Sequence, residues 1–271
     1  MEVSRPAYYE WLHRPKSNLQ RENEVLEIHI RELFRKHRKK YGSPRITIEL
    51  RKMGFRVGEN RIARLMRENG LFARIPRKSK KSLQTKGADI APHLLQRDFN
   101  PDKPNLVWTG DITYLYTTEG TIYLSVILDL FSRKIVGFDL ADKMDVSLVE
   151  RSLKMAIKNR EPSSDLLFHS DQGSQYQAFK LQNLLSKYKI KQSMSRKGNC
   201  HDNAVTESFF STLKKETDHG KPRLSKHLTK QIIKEYIQNY YNLIRTHSHN
   251  DYVSPFLKEV LYFKDLENGD Y

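Results

Sequence analysis

The chain has 271 residues, of which 38% are hydrophobic and 10% aromatic, enough for one large domain or two to three smaller ones with a buried core. The sequence contains neither the roughly 18 uninterrupted apolar residues of a membrane span nor the apolar region of a secretory signal. Its single cysteine, Cys200, excludes an internal disulfide. We therefore expect a cytoplasmic globular protein with no membrane partner. The formal net charge of +16 is concentrated in residues 1–100, whose 24 basic and 11 acidic side chains predict binding to nucleic acid.

Residues 21–73, which follow an N-terminal arm of residues 1–20, have the pattern of a small all-α domain. Arg21–Lys40 predicts an amphipathic helix because its apolar residues form a narrow stripe: Val25, Ile28, Leu33 and Phe34. Two shorter helices follow, one capped at Ser43–Pro44 and one covering Glu59–Asn69. Their predicted inward residues are Ile46, Leu50 and Met53 in the first, and Ile62, Leu65 and Met66 in the second. Two short helices joined by a tight turn predict a helix-turn-helix domain.

The second short helix carries an arginine at every third position: Arg61, Arg64 and Arg67. This spacing places the three side chains on the flank opposite the apolar stripe, where a recognition helix contacts DNA. An ordinary solvated face has the same spacing, so the pattern alone leaves both interpretations open. The next segment, residues 74–100, favours DNA because it reads as a flexible basic linker with four expected phosphate contacts: Arg77, Lys78, Lys80 and Lys81.

Beyond Pro104 the pattern changes to short strands and helices, which predict an α/β domain over residues 101–220. Three strands joined by hairpins come first: Leu106–Tyr116, Thr121–Leu130 and Lys134–Leu140. Helices and short strands then alternate to give the order βββαβαβα: Val146–Lys158, Leu166–Phe168, Ala178–Lys187, Ile190–Met194 and Asn203–Thr217. A helix over Ser225–Ile244 and a tail, together residues 221–271, are expected to pack on this core.

Three isolated carboxylates stand out in this domain. Asp111 lies in the middle of the first strand, which is unusual because strand interiors seldom contain aspartate, and a salt-bridged core acid is the alternative reading. Asp171 lies at the carboxyl end of a short apolar strand, the position at which α/β sheets expose ligand-binding groups. Glu207 lies in the first turn of a helix, where a carboxylate also simply favours the helix dipole.

Together the three acids make chemical sense as a magnesium site, because Mg²⁺ prefers hard oxygen ligands. Two such ions can clamp the attacking and leaving oxygens during phosphoryl transfer. Lys214 falls on the same helix face as Glu207, about two turns further on. Its ammonium group either pairs with a carboxylate or holds a phosphate close to the metal.

Four motifs in one order closely resemble bacterial insertion-sequence transposases with a retroviral-integrase-like catalytic core: Trp108–Tyr114, Asp129–Gly137, His169–Tyr176, and Gly198 through Glu207 to Lys214. The likeness covers most of the chain. It is strongest to the second-reading-frame (orfB type) product of two-frame elements, whose end resembles Tyr241–His247 and Ser254–Pro255. Asn250–Asp251 departs from the family, which usually shows a Leu-Gly-like step there.

The resemblance implies a ribonuclease-H-like fold, with a mixed five-stranded sheet and flanking helices, and a DDE triad of Asp111, Asp171 and Glu207. It implies two Mg²⁺ or Mn²⁺ ions per active site, held by the same three acids. The implied reaction is hydrolysis at the terminal inverted repeats of an element in double-stranded DNA, followed by attack of the freed 3′-hydroxyl on target DNA. Lys214 occupies the place where such enzymes hold DNA. The resemblance further implies at least a dimer on DNA, an upstream-frame (orfA) partner or fusion, and a bacterial, nucleoid-associated location.

Other polar residues have simpler interpretations. Asp129 is expected to form a hairpin turn and Asp202 to cap a helix. A zinc site is disfavoured because three candidate ligands lack paired spacing: His169, Cys200 and His201. Arg245 and His247 either contact DNA or dock the C-terminal helix on the core. Two rival functions are a ribonuclease-H-like nuclease or junction resolvase that cuts without joining, and a non-catalytic DNA-binding regulator.

Overall fold

A computed structural model describes residues 4–73, 91–92, 94–95, 98–195, 203–217 and 224–269. The chain divides into two compact units, residues 1–74 and residues 75–271. In the ranges that are described, no helix is long and apolar enough to cross a membrane. The four basic residues expected to contact phosphates from the linker lie outside these ranges: Arg77, Lys78, Lys80 and Lys81.

The first unit contains helices α1 (Arg5–His13), α2 (Asn18–Lys36), α3 (Ser43–Lys52) and α4 (Glu59–Glu68). Helix α2 begins three residues before its predicted start because Ser17 and Gln20 form a capping box. The Gln20 amide donates to Ser17 Oγ at 3.2 Å, and the Ser17 amide donates to Gln20 Oε1 at 2.8 Å. Helix α3 is capped by Gly42 rather than by the predicted Ser43, which is its first helical residue.

The core of this unit joins the inner faces of α2, α3 and α4. Its buried α2 stripe follows the i, i+4, i+7, i+8 spacing of a helix face: Leu26, Ile30, Leu33 and Phe34. The prediction was wrong for Val25 and Ile28, which are 46% and 58% exposed because they lie outside that stripe. It was also wrong for Met53, which is 50% exposed because α3 ends before it. The other predicted inward residues of α3 and α4 are buried: Ile46, Leu50, Ile62, Leu65 and Met66.

The second unit is built on one mixed sheet. Its strands are β1 (Val107–Thr117), β2 (Gly120–Asp129), β3 (Ile135–Ala141), β4 (Leu167–Ser170) and β5 (Lys191–Met194). Their order across the sheet is β3-β2-β1-β4-β5. Strand β2 is antiparallel to both β1 and β3, and β4 is parallel to both β1 and β5. The five-stranded ribonuclease-H-like sheet expected from the resemblance is confirmed, and β1 is its central strand.

Helices cover both faces of the sheet and bury two separate cores. One core contains residues of α5 (Val146–Arg160) and α7 (Phe179–Lys187), together with the short helix α6 (Ser174–Gln177). The other contains residues of α8 (Ala204–Thr217) and α9 (Lys226–Glu235). Because both faces are covered, the central strand β1 is shielded from water except at its polar residues.

Two glycines allow the close packing on which this arrangement depends. A Cβ atom on Gly137 of β3 would lie 2.2 Å from the backbone oxygen of Ser152 in α5. A Cβ atom on Gly110 of β1 would lie 2.5 Å from the ring of Phe168 in β4. Gly110 therefore lets a buried aromatic ring pack across the central strand, next to Asp111.

The C-terminal helix predicted over Ser225–Ile244 departs from regular α-geometry. Helix α9 ends at Glu235, and Tyr236–Tyr241 continues as a π-helix, in which wider turns shift the following residues. The Asn242 side chain then reaches Ile135, accepting from its amide at 3.0 Å and donating to its carbonyl at 2.9 Å. This pair of hydrogen bonds fixes the C-terminal segment to the start of β3.

A further helix, α10 (Pro255–Asn268), lies in the part of the chain expected to be a tail. Glu259 of α10 is buried and accepts from Arg160 at 2.8 and 2.9 Å and from Lys134 at 2.7 Å. Burial opposes its ionisation, but the Arg160 guanidinium and the Lys134 ammonium outweigh burial and lower the pKa of Glu259. The ionised carboxylate of Glu259 anchors α10 to the rest of the second unit.

The predicted flexible linker ends earlier than residue 100. Leu95 is only 4% exposed and belongs to one of the two cores of the second unit. The Leu94 amide donates to Ser193 Oγ at 2.9 Å, and the Pro92 carbonyl accepts from the Met194 amide at 3.3 Å. Apolar burial and backbone pairing therefore hold these residues against β5.

The close contact at Gly110 makes a testable prediction. Gly110→Ala should lower the free energy of unfolding by about 1–3 kcal/mol, because the new methyl group overpacks the Phe168 ring. The cost should fall when it is measured in a Phe168→Leu background, where the ring is gone. Gly137→Ala is the comparison, since it collides with α5 backbone and should cost the same in both backgrounds. Denaturant unfolding of the two backgrounds and the four glycine variants gives the four costs, and an equal Gly110→Ala cost in the two backgrounds would contradict the packing argument.

Candidate active site

The pairing of β1 with β4 places two of the three predicted acids next to each other. In the parallel register Gly110 pairs with Ser170, and the next residues along the two strands are Asp111 and Asp171. The Asp171 carboxylate accepts from the Gly173 amide at 2.9 Å, which fixes it at the end of β4. Sequence reasoning placed each acid on its strand, and the register brings them together.

Helix α8 brings the third acid towards this pair. Thr206 Oγ1 and Thr109 Oγ1 lie 2.8 Å apart and both residues are buried, so this hydroxyl pair ties the first turn of α8 to β1. Phe209, Phe210 and Leu213 bury one side of the helix in the core. Glu207 follows Thr206 and is exposed, so its side chain is left at the surface near Asp111.

The electrostatics show that the predicted residues act on one another. Burial raises the pKa of Asp111 well above its usual value, and the neighbouring Asp171 raises it further. Glu207 also raises it, whereas the Ile112 amide, which donates to Asp111 at 2.7 Å, and the Lys214 ammonium lower it. Burial likewise raises the pKa of Asp171, against the hydrogen bond from Gly173.

Lys214 lies on the same side of α8 as Glu207. Its Nζ atom is 4.3 Å from the centroid of the Tyr114 ring in β1, within the range of a cation–π contact. Because the ammonium group also lowers the pKa of Asp111, it contributes positive charge to the acidic site. Both roles expected from the sequence, pairing with a carboxylate and holding a phosphate, are compatible with this position.

The donor chemistry fits a hard divalent cation. Asp111, Asp171 and Glu207 offer only carboxylate oxygens, the ligands that Mg²⁺ prefers. Within the described ranges no three histidine, cysteine, aspartate or glutamate side chains stand close enough to hold one ion. The two aspartates follow paired residues of β1 and β4, and Glu207 is exposed on α8. Burial and the neighbouring Asp171 raise the pKa of Asp111, and a cation held by these carboxylates would favour their ionised forms.

Tyr176 is a site residue that sequence reasoning missed. It is 1% exposed, and burial, with further contributions from Asp111 and Asp171, raises its pKa well above the usual value. It therefore lies against the aspartate pair and makes their surroundings more apolar. The available signal was its position three residues after the turn at Gly173, which aims α6 back at the sheet.

Several other polar residues make the structural contacts that the sequence suggested for them. Asp129 accepts from the Phe131 amide at 2.9 Å, as the predicted turn requires, and burial raises its pKa to about 6. The buried Arg245 side chain donates from Nε to Glu216 at 3.1 Å, so it docks the C-terminal segment on α8. His169 Nδ1 lies 2.9 Å from Ser193 Oγ. Three other residues, Cys200, His201 and Asp202, lie outside the described residues.

The predicted row of arginines on α4 is divided between two kinds of contact. Arg61 bonds to Asn23 at 2.7 and 2.9 Å and to Glu22 at 3.0 Å, so it joins α4 to α2. Arg64 is exposed and lies 3.7 Å from Glu68 on the same helix. Arg67 is exposed. The expectation of one DNA-facing row fits Arg64 and Arg67 better than Arg61, whose guanidinium is hydrogen-bonded to α2.

Comparisons with known proteins agree with this architecture. An HTH-like domain model matches residues 20–79, and two integrase core domain models match residues 101–200 and 188–255. The transposase for insertion sequence element IS904 of Lactococcus lactis subsp. lactis (strain IL1403) is 41% identical over 245 residues, covering 90% of this chain and 97% of the relative. Transposase InsF for insertion sequence IS3A of Escherichia coli (strain K12) is 36% identical over 258 residues, covering 94% and 90%. The solved HTLV-2 integrase catalytic core domain in complex with magnesium aligns with a TM-score of 0.47 at 17% identity, over 58% of this chain and 98% of that one.

The raised pKa of Asp111 predicts a gain in stability on neutralisation. Without divalent cations, Asp111→Asn should raise the free energy of unfolding at pH 7, by about 1.4 kcal/mol for each pKa unit that separates the folded from the unfolded chain. The folded pKa lies above the unfolded value, so the wild type loses stability as pH rises between them. The gain should therefore disappear below about pH 3, where the carboxyl is protonated in both states.

The control is Asp142→Asn, which neutralises an exposed carboxylate whose pKa is lowered by a hydrogen bond from Lys230. This change should not stabilise the chain at neutral pH. Thermal unfolding between pH 3 and pH 8 in a chelator measures both variants. A loss of stability for Asp111→Asn at pH 7 would show that the Asp111 carboxylate is not under repulsion.

Proposed function

This chain belongs to the family of insertion-sequence transposases, DNA transposases of the DDE type, and we propose that Asp111, Asp171 and Glu207 are its catalytic carboxylates. The observation that carries the proposal is that Asp171 at the end of β4 and Glu207 of α8 both act electrostatically on the buried Asp111 of β1 and raise its pKa. Perturbed carboxylates that converge from distant parts of a chain are typical of catalytic sites.

The same three residues would hold Mg²⁺ or Mn²⁺, and we expect two ions per active site. When bound, such ions supply charge compensation to the attacking and leaving oxygens of phosphoryl transfer. The half-buried position of Asp111 and Asp171 favours this role, because a cation there relieves the repulsion that raises the pKa of Asp111. Glu207, exposed on α8, can turn towards the aspartate pair once a positive charge attracts it.

The reaction has two phosphoryl transfers at this site. Water hydrolyses a phosphodiester at the end of the element and leaves a 3′-hydroxyl. The 3′-oxygen then attacks a phosphodiester of the target DNA, forms a new P–O bond and displaces the old one, so no covalent bond to the protein is needed. Lys214 binds a phosphate next to the acids, and its contact with the Tyr114 ring holds the long side chain in place.

The first unit binds double-stranded DNA. It contacts the phosphates of any sequence and also contacts the terminal inverted repeats of the element. Arg64 and Arg67 reach phosphates or base edges from α4, and the basic residues of the linker add phosphate contacts: Arg77, Lys78, Lys80 and Lys81. Arg61 supports the domain by joining α4 to α2. We assign DNA binding to residues 21–73, catalysis to residues 101–220 and docking on the core to residues 221–271.

The working complex is expected to contain at least two copies of the chain, because two element ends must be held together. An upstream-frame (orfA) partner or fusion would add end recognition, and the location would be the bacterial nucleoid. A nuclease that cuts without joining and a non-catalytic regulator are the two rival functions, and the next experiment separates all three.

Glu207→Gln should lower strand transfer by at least about 10²-fold, the scale seen when one transition-state-stabilising group is removed. DNA affinity should stay largely unchanged because one exposed carboxylate is replaced by its isosteric amide. Strand transfer is measured with element-end duplexes, a target plasmid and Mn²⁺, and affinity with the same duplexes in a chelator. Glu267→Gln, at an exposed position of α10, is the matched control and should keep full activity.

Each rival has its own signature in this assay. Cleavage by the wild type with no joined product would favour the nuclease. Strand transfer by Glu207→Gln at the wild-type rate would remove Glu207 from the site, and the absence of any cleavage by either protein would favour the regulator.

The arginines of α4 give a separate prediction. Arg64→Ala and Arg67→Ala should each weaken DNA binding and reduce the slope of log K against log salt concentration by about 0.9, the value for one phosphate contact. Neither should change the melting temperature. Arg61→Ala should instead lower the melting temperature of the first unit, since it removes the bonds to Glu22 and Asn23. The assignment is wrong if Arg61→Ala changes the salt slope as much as the other two variants without loss of stability.

A further inference from the structure

A cavity of about 250 Å³ with a mixed apolar and polar lining lies on a different flank of α8 from the acidic site. The α8 residues that line it include Ser208 and Thr212. At 3.6 residues per turn these positions lie roughly 100° and 140° around the helix from Glu207, whereas Lys214 lies within roughly 20° of it. Helix α8 therefore has an acidic flank and, about a third of a turn away, a flank that faces this cavity.

The charge in the cavity comes from a buried arginine without an acidic hydrogen-bond partner. Arg133 is 5% exposed, and its Nη2 atom donates to neutral groups: the Phe99 carbonyl at 3.0 Å and His249 Nδ1 at 3.1 Å. Its Nη1 atom has no hydrogen-bond partner in the part of the chain that the structure describes. Burial lowers the pKa of Arg133 to about 10, and the nearby Tyr241 and Asp129 offset this only in part. A buried guanidinium of this kind is costly unless an anion completes its surroundings.

The polar groups of the lining suit an anion, while its apolar side is formed by Leu128, Val205 and Phe209. Arg245 adds a second guanidinium, and its Nε atom is already bonded to Glu216 outside the cavity. No described carboxylate lines the cavity, while the hydroxyl groups of Ser208 and Thr212 and the imidazole of His247 do. Guanidinium and hydroxyl donors around a small cavity match the oxygens of a phosphate group.

We propose that this cavity binds one backbone phosphate of the DNA on which the acidic site acts. An α-helix with its side chains is about 10–12 Å across, and one DNA strand advances about 3.4 Å along its axis per nucleotide. Because the two flanks are separated by less than this helix diameter, we expect the bound phosphate to lie within about three nucleotides of the bond that is cleaved. The proposal rests on the proposed function for the identity of the DNA, and its purpose is to fix the register of the strand on α8.

Thr212→Glu is the main test, because it places a carboxylate in the cavity where it can pair with Arg133. If the cavity is an anion site, this variant gains thermal stability without DNA, since the buried guanidinium acquires a partner. It also loses affinity for an element-end duplex by about tenfold, and its salt slope falls by about 0.9. A purely structural role for Thr212 would not move the two measurements in opposite directions.

Two further variants complete the design. Asn183→Glu makes the same charge change at an exposed position of α7 and should weaken DNA binding far less. Arg133→Gln should lower affinity and salt slope as Thr212→Glu does, without the gain in stability. All binding is measured with the full chain carrying Glu207→Gln and in a chelator, so the result does not depend on catalysis. Failure of the triad assignment would appear in the strand-transfer assay and leave these binding data unaffected.

Inorganic phosphate is the second probe and separates a DNA site from a site for a free anion. Phosphate should raise the melting temperature of the wild type but not that of Thr212→Glu. The proposal is overturned if phosphate raises the melting temperature of the wild type but DNA affinity and salt slope are the same for Thr212→Glu and Asn183→Glu. That result would indicate a site for a free anion only. It is equally overturned if Thr212→Glu destabilises the DNA-free chain and leaves DNA affinity unchanged.

Discussion

The repulsion between Asp111 and Asp171 is the constraint around which the second unit is arranged. Parallel pairing of β1 with β4 forces the two carboxylates together, so the sheet must be rigid enough to hold them. Gly110 supplies part of this rigidity because it lets the Phe168 ring pack against β1. A cation bound at the proposed site would relieve this repulsion and would therefore stabilise the fold.

Helix α8 links the sheet, the acidic site and the C-terminal segment. The Thr206 hydroxyl ties it to β1, and Glu216 ties it to Arg245 near the end of the π-helix. A strand of DNA that follows this helix would meet carboxylates on one flank and guanidinium groups on the other. The helix can thus set both where phosphoryl transfer occurs and how the strand is held, provided that both flanks stay fixed by these contacts.

The first unit shows how a surface pattern can serve folding instead of binding. Arg61 shares its three-residue spacing with Arg64 and Arg67, yet its guanidinium bonds to Asn23 and Glu22 of α2. Helical periodicity predicts that the three arginines share a flank, but it does not reveal which neighbouring helix covers one end of that flank. A contact between residues 38 apart in the chain decided the role of Arg61.

The sequence by itself predicted the order of β1 to β5 and of the longer helices between and after them, the inward faces of α3 and α4, and the three candidate acids, because local periodicity and residue chemistry are read within a few turns. It also indicated the family through four motifs in one order. It did not predict α1, α6 or α10. Only the tertiary structure decided that Asp111 and Asp171 are neighbours, that Tyr176 lies against them, and that Arg133 is buried beside a cavity. These features depend on strand register and on contacts between residues far apart in the chain, which no local pattern encodes.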